Sequence, residues 1–86
     1  MDLVRTTLIS KNITVLGKRT SVRLEPAMWE ALQEIAEREN ASLNDICAYV
    51  HNNRLESSLT SALRVYILTY FRFPHMDRFR RKQDNS

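Results

Sequence analysis

Hydrophobic and polar residues alternate along the chain from Asn12 to Leu24, in two short runs that Gly17 separates. Apolar and β-branched residues at every second position are typical of strands. Side chains along a strand point to opposite faces in turn, so the second run has two different sides. Its inner positions are Thr20, Val22 and Leu24, and its outer positions are Arg19, Ser21 and Arg23.

The spacing of apolar residues becomes helical after this strand. Pro26 suits the first turn of a helix, and Glu25 suits the positive end of the helix dipole. The predicted buried stripe consists of Met28, Trp29, Leu32, Ile35 and Ala36. Asn40 is expected to end the helix in the left-handed conformation, in place of the more usual glycine. Trp29 belongs to the core in this interpretation rather than to a ligand site.

Two more helices are predicted from their caps. Ser42, with Asp45 three residues later, forms a shortened capping box that starts a second helix. The pair Ser57-Ser58 offers an N-cap to a third helix that reaches about Arg72. This third helix is apolar nearly all round, and its second apolar face consists of Val65, Leu68 and Phe71. A helix buried on two sides in so short a chain indicates a subunit interface.

Length and charge limit the kind of protein. A chain of 86 residues is enough for one domain, but a monomer of this size is marginally stable, so a partner subunit would help. The net charge is +3 over residues 1–25, −3 over 26–42 and +4 over 59–86. Basic ends around an acidic middle indicate that a polyanion meets the ends. We divide the chain into an N-terminal extension (1–11), a domain (12–72) and a basic tail (73–86).

The cellular compartment is inferred from what the sequence does not contain. No apolar run is long enough for a membrane span, and the N-terminus has no pattern of a secretory signal. The single cysteine, Cys47, cannot form a disulfide within the chain, which agrees with a reducing compartment. We expect a cytoplasmic protein that does not contact a membrane.

One strand followed by helices is incomplete, because a lone strand leaves both of its edges unpaired. Antiparallel pairing with the same strand of a second chain solves this problem. The inner face of the resulting two-stranded ribbon covers the helices, and its outer face presents Arg19, Ser21 and Arg23 twice. A homodimer, with a higher oligomer left open, is therefore predicted.

These residues resemble a known family. The matching segments are 17–26, Trp29, 41–43 and 58–65, within a resemblance that covers residues 12–72. They are similar to the ribbon-helix-helix proteins of the MetJ/Arc superfamily, and most similar to a bacterial branch with an extra C-terminal helix. Two features depart from the family pattern: Asn40 stands where a glycine is usual, and the strand-like run Lys11–Leu16 lies outside the minimal motif.

The resemblance implies a mainly α fold with a short β-strand, in which an intertwined homodimer forms a two-stranded antiparallel ribbon and an additional C-terminal helix follows. It also implies that the ribbon enters the major groove of double-stranded DNA, and that the N-termini of the second helices hold flanking phosphates.

Specific roles follow for the residues of the site. Arg19 and Arg23 are predicted to read bases, because arginine suits the O6/N7 pair of guanine, and Ser21 is the secondary reader. The predicted phosphate contacts are Lys18, Ser42, Leu43 and Asn44. Asp45 competes at the helix N-terminus as a negative charge. The alternative for the arginines is that they are solvated charges on a half-exposed sheet.

The predicted function is a sequence-specific DNA-binding protein, namely a transcriptional regulator that acts as a repressor. The alternative is a protein-interaction module, such as an antitoxin-like subunit or adaptor, that binds a protein partner through the C-terminal helix. We expect that the protein is not an enzyme and has no cofactor and no catalytic residue. The sequence shows no nucleophile with a neighbouring base and no pair of carboxylates of the kind that acid–base catalysis uses. Cys47 and His51 are one helical turn apart, but no second cluster completes a metal site.

Overall fold

The computed structural model describes residues 7–54 and 58–73. Its first two elements form an antiparallel β-hairpin, with β1 at Ile9–Val15 and β2 at Lys18–Leu24. The register runs from Ile9 opposite Leu24 to Val15 opposite Lys18. The two-residue loop has positive φ angles, 54° at Leu16 and 79° at Gly17. Both values are typical of a type I′ turn, whose twist matches that of the flanking strands.

The two-stranded antiparallel ribbon is confirmed, but both of its strands belong to one chain. The sequence led us to expect a lone second strand that takes its partner from a second copy. In the structure, the run that we placed outside the minimal motif is β1, which pairs with one edge of β2. β1 begins at Ile9, earlier than the predicted Asn12. The intertwined homodimer remains a prediction.

Three helices follow, and they begin and end where the sequence predicts. They are α1 at Pro26–Arg38, α2 at Leu43–Asn53 and α3 at Leu59–Arg72. Asn40 has a φ of 54°, as expected for a left-handed C-cap. The amide of Ala41 donates to the carbonyl of Ala36 at 2.9 Å, and the amide of Asn40 donates to Glu37 at 3.2 Å. This Schellman pattern stops α1 and turns the chain toward α2.

Side-chain caps fix the starts of the next two helices. Ser42 Oγ accepts from the Asp45 amide at 3.0 Å, and Asp45 Oδ2 accepts from the Ser42 amide at 3.1 Å. The capping box is therefore complete, and such a cap stabilises a helix by about 1 kcal/mol. Ser58 Oγ accepts from the Ser61 amide at 3.1 Å at the start of α3.

The hydrophobic core lies between the hairpin and the helices. The inner face of β2 contributes Val22 and Leu24, of which Leu24 is fully buried. The helices contribute further buried residues, which include Trp29, Leu32, Ile35, Ile46, Cys47, Leu63 and Tyr70. Full burial of a Leu or Ile side chain contributes about 1.5 to 3 kcal/mol, so this contact fixes which face of the hairpin points outward.

α3 buries one of its faces and exposes the other. Its buried residues are Ala62, Leu63, Ile67 and Tyr70. Val65, Leu68 and Phe71 on the other face are 47%, 60% and 41% exposed. The second apolar face thus has no cover among the described residues, and the subunit interface that we predicted there remains a prediction. Across residues 7–54 and 58–73, no helix has both the length and the apolar character to cross a bilayer.

Candidate nucleic-acid interface

The predicted base-reading residues lie together on the exposed side of β2. Arg19, Ser21 and Arg23 are all exposed, whereas Val22 and Leu24 between and after them are buried. Strand alternation produces this separation, and the burial of the inner set holds it in place. The side chains that the sequence assigns to the outer side of β2 are the ones that the structure exposes.

β1 adds three polar residues to the same side. The cross-strand pairs are Ser10–Arg23, Asn12–Ser21 and Thr14–Arg19. We call these six residues the outer face of the hairpin. Directly opposed side chains have Cβ atoms about 4.5 to 5.5 Å apart, so the six form one continuous surface. Ser10 Oγ and Ser21 Oγ, on adjacent pairs, are 2.9 Å apart.

Ser10, Asn12 and Thr14 were not among the predicted site residues. The signal was present, because polar residues at these positions alternate with Ile13 and Val15, which are buried. This alternation does not by itself show which strand the run pairs with, so it does not place these residues beside Arg19 and Arg23.

Trp29 holds the end of the hairpin that lies opposite the turn. Its Nε1 donates a hydrogen bond to the Ile9 carbonyl oxygen at 2.8 Å, and the Lys11 ammonium lies 5.3 Å from the centre of the Trp29 ring. Lys11 therefore covers the tryptophan and does not belong to the outer face. The predicted core role of Trp29 is confirmed, since its side chain is buried.

The N-terminus of α2 lies beside the edge of β1. Asn44 Oδ1 accepts a hydrogen bond from the Thr14 amide at 3.0 Å, so the Asn44 side chain joins α2 to the hairpin. Ser42 Oγ is occupied as the cap, although its hydroxyl proton can still be donated. The amides of Leu43 and Asn44 have no acceptor within the described residues. They are suited to a phosphate, as predicted, with the Asp45 carboxylate close by.

Lys18 lies away from the other predicted DNA contacts. It pairs with Val15, whose side chain is buried, so Lys18 shares the side of the hairpin that faces the helices. There it lines an open cavity together with His51 and Arg54. The structure thus separates Lys18 from the outer face, and its role as a phosphate contact remains a prediction.

The charges near the outer face favour an anionic partner. None of its six residues is acidic, and two of them are arginines. The nearest carboxylate along β2 is Glu25, which Arg64 holds with Nη2–Oε distances of 3.0 and 3.2 Å. A backbone hydrogen bond and the Arg64 side chain lower the pKa of Glu25. The acidic residues of α1 lie elsewhere on the exposed surface, where Glu34 pairs with Arg38 at 2.7 Å.

The pair Cys47 and His51 does not form a reactive site in this arrangement. Cys47 is fully buried, and burial raises the pKa of its thiol to about 12. His51 Nδ1 instead contacts Arg54 Nη1 at 2.8 Å. In the part of the chain that the structure describes, no group of three or more His, Cys, Asp or Glu side chains is placed to hold a metal ion.

Comparison with known proteins identifies the family. The sequence model of the ribbon-helix-helix domain matches residues 8–71, which include the hairpin, α1, α2 and nearly all of α3. This chain belongs to the ribbon-helix-helix family. The resemblance inferred from the sequence is thereby confirmed, as is the mainly helical fold with a two-stranded ribbon and an extra C-terminal helix. Ribbon-helix-helix domains are in general DNA-binding regulators, which supports that broad role for this chain.

A solved structure allows a second comparison. An uncharacterized protein from Bordetella pertussis Tohama I is 28% identical and superimposes with a TM-score of 0.67. The match covers 77% of this chain and 57% of the Bordetella chain, so our chain spans little more than half of that protein's length. No curated protein matches this chain.

Proposed function

We propose that this protein is a sequence-specific transcriptional repressor that reads the major groove with the outer face of its own hairpin. The observation that carries the proposal is the composition of that face. All six side chains can form hydrogen bonds, two are arginines, and the inner faces of both strands are anchored to the core. A bacterial origin and a cytoplasmic location agree with this role and with the likeness to a Bordetella protein.

The dimensions of the hairpin suit the groove. Two strands lie about 4.8 Å apart, so a hairpin with its side chains fits a major groove about 12 Å wide. Arg19 and Arg23 are four residues apart, which corresponds to about 13 Å or roughly four base steps of 3.4 Å. In this proposal the two arginines contact guanines, and Ser21 contacts a base edge between them.

The intertwined homodimer predicted from the sequence pairs the two β2 strands; we propose instead that the second copy binds through α3. Because β1 already occupies one edge of β2, pairing of two β2 strands would create a four-stranded sheet. Such a sheet is about 14 Å wide, which exceeds the width of the major groove. The exposed face of Val65, Leu68 and Phe71 gives an apolar contact that leaves each hairpin free for its own half-site. A two-fold dimer then requires inverted half-sites.

The same α3 face supports a second candidate function, namely a module that binds another protein, as an antitoxin-like subunit or adaptor does. Analytical ultracentrifugation separates the two candidates. If the wild-type protein is a dimer and Leu68→Glu converts it to a monomer, then the exposed face of α3 binds a second copy. A wild-type chain that stays monomeric at micromolar concentration leaves the face to a different protein and counts against the dimeric repressor.

The DNA-binding proposal is tested with sites selected from random duplexes, followed by titrations over a range of salt. If the dimer neutralises about six phosphates, the logarithm of affinity falls with the logarithm of salt concentration at a slope of roughly −5. Arg23→Ala should lose about 1 to 3 kcal/mol of discrimination between the selected and a scrambled duplex. Arg38→Ala, on α1, is the matched control and should keep the discrimination between the two duplexes. A slope near zero would show that the protein does not bind DNA through its phosphates.

A further inference from the structure

An open cavity of about 290 Å³ lies beside the turn end of the hairpin, and three basic side chains line it. They come from different elements: Lys18 from β2, His51 from the last turn of α2, and Arg54 from the residue that follows α2. The negative end of the α2 dipole accounts for the cation at Arg54. It does not account for Lys18, which the hairpin brings to the same place.

The donors in this cavity are suited to an oxyanion. Arg54 Nη1 lies 2.8 Å from His51 Nδ1. Because arginine only donates, Nδ1 is the acceptor, and the histidine proton is on Nε2. The His51 Nε2–H, the remaining N–H groups of Arg54 and the Lys18 ammonium are then available to a ligand. Val15 and Leu59 form an apolar part of the cavity wall, and no carboxylate of the described residues lines the cavity.

α2 connects the edge of the hairpin to the cavity. α2 begins beside the edge of β1, where Asn44 bonds to Thr14, and ends at the cavity with His51. The helix rises about 10 Å over the seven residue steps from Asn44 to His51. The free amides at the start of α2 and the three basic residues at its end are thus separated by roughly the width of a major groove, which is about 12 Å.

We propose that Lys18, His51 and Arg54 form a phosphate-binding site, and that on DNA it holds a backbone phosphate on the groove wall opposite to the N-terminus of α2. The assignment to DNA rests on the proposed function. The chemistry of the site does not, because the phosphate of a free phosphorylated compound offers the same oxygens.

The test uses the full chain with Lys18→Gln, Arg54→Gln and both together, beside Arg38→Gln as the matched control. Each variant is first melted to confirm that it folds. Binding to selected and scrambled duplexes is then measured over a range of salt. We expect the slope of log affinity against log salt to flatten by about one for each phosphate that the variant no longer binds, with an equal loss on both duplexes. Because the Arg38 guanidinium lies 5.4 Å from the Phe71 ring centre, the mass of each variant is confirmed by ultracentrifugation, and Arg38→Gln of wild-type mass should behave as wild type.

Inorganic phosphate is the second probe, observed through the His51 ring signals in NMR spectra at fixed pH and ionic strength. A shift of these signals that disappears in the double variant supports the site. If that shift occurs while the wild-type protein fails to bind any duplex, the proposed function is wrong and the site serves a free phosphorylated compound.

Two results would overturn the site while the proposed function stands. One is a protein that binds DNA through Arg23 but shows no change of salt slope in the double variant and no response of His51 to phosphate. The other is a double variant that loses discrimination between duplexes with an unchanged salt slope, since that behaviour belongs to a base reader.

Discussion

The turn at Leu16-Gly17 gives the sharpest test of the hairpin. A type I′ turn needs positive φ at both residues, and L-amino acids in this region cost about 1 to 2 kcal/mol unless they are Asn, Asp or Gly. A Cβ atom added at Gly17 meets nothing within 4 Å, so Gly17→Ala changes the backbone preference and no packing. We expect Gly17→Ala to lower the free energy of unfolding by about 1 kcal/mol, which is roughly 4 to 8 °C in Tm for a domain of this size.

The adjacent position should respond in the opposite direction. Leu16 has a φ of 54° and is 70% exposed, so replacing it removes little buried surface. Asn tolerates this conformation, and we expect Leu16→Asn to raise the free energy of unfolding by up to about 1 kcal/mol. Leu8→Asn is the matched control, because it makes the same exchange at an exposed leucine whose φ is not positive. Asn relieves no left-handed backbone there, so Tm should not rise.

Thermal melts and urea titrations at neutral pH measure both effects. At an ordinary backbone position, Gly→Ala stabilises a protein by restricting its unfolded chain. A Gly17→Ala variant with an unchanged or higher Tm would therefore refute the type I′ turn, and with it the pairing of β1 with β2 in one chain.

Three further predictions concern other parts of the chain. Arg23→Ala should keep Tm within a few degrees because its side chain is exposed, whereas Val22→Asp places a carboxylate in the core at a cost of several kcal/mol and should unfold the protein. Circular dichroism melts measure both variants. An unstable Arg23→Ala beside a stable Val22→Asp would show that the inner and outer faces of β2 are exchanged. A backbone hydrogen bond and, after it, the bond to Arg64 hold the pKa of Glu25 below its ordinary value of 4.5, so these contacts stabilise the fold above that pH and the stabilisation is lost as pH falls through the lowered value. Arg64→Gln should therefore reduce Tm at pH 7 and have less effect at a pH below the lowered value, where Glu25 is protonated. Burial and a pKa of about 12 should keep Cys47 unreactive toward a thiol reagent at pH 7.5 until urea unfolds the chain, and rapid labelling of the native protein would contradict its buried position.

The helices were predictable because local chemistry sets their ends. Pro26, Asn40 and the Ser42–Asp45 box each act within one turn of the helix they start or stop, and all three have the predicted roles. The exposed positions of β2 were predictable for a similar reason, since alternation along one strand assigns Arg19 and Arg23 to the face opposite the core.

The partner of β2 was not predictable in the same way. Strand pairing joins residues that are distant in sequence, and the strongest local hairpin signal is Asn-Gly or Asp-Gly. This chain has Leu16 at the first position of its turn, so the signal was weak and Gly17 was interpreted only as a break. The cluster of Lys18, His51 and Arg54 is not evident in the sequence, because these residues come together only after α2 packs across the hairpin.

The intrachain hairpin also affects how the protein matures after synthesis. When a ribbon takes one strand from each of two subunits, neither chain has it before they meet, and stability depends on protomer concentration. Here β1 and β2 are joined by two residues, and a hairpin of this kind forms in about 1 to 10 μs. The outer face is therefore complete in each newly made chain. If two copies associate as proposed, they do so with this face already formed, and dilution would separate them without dismantling it.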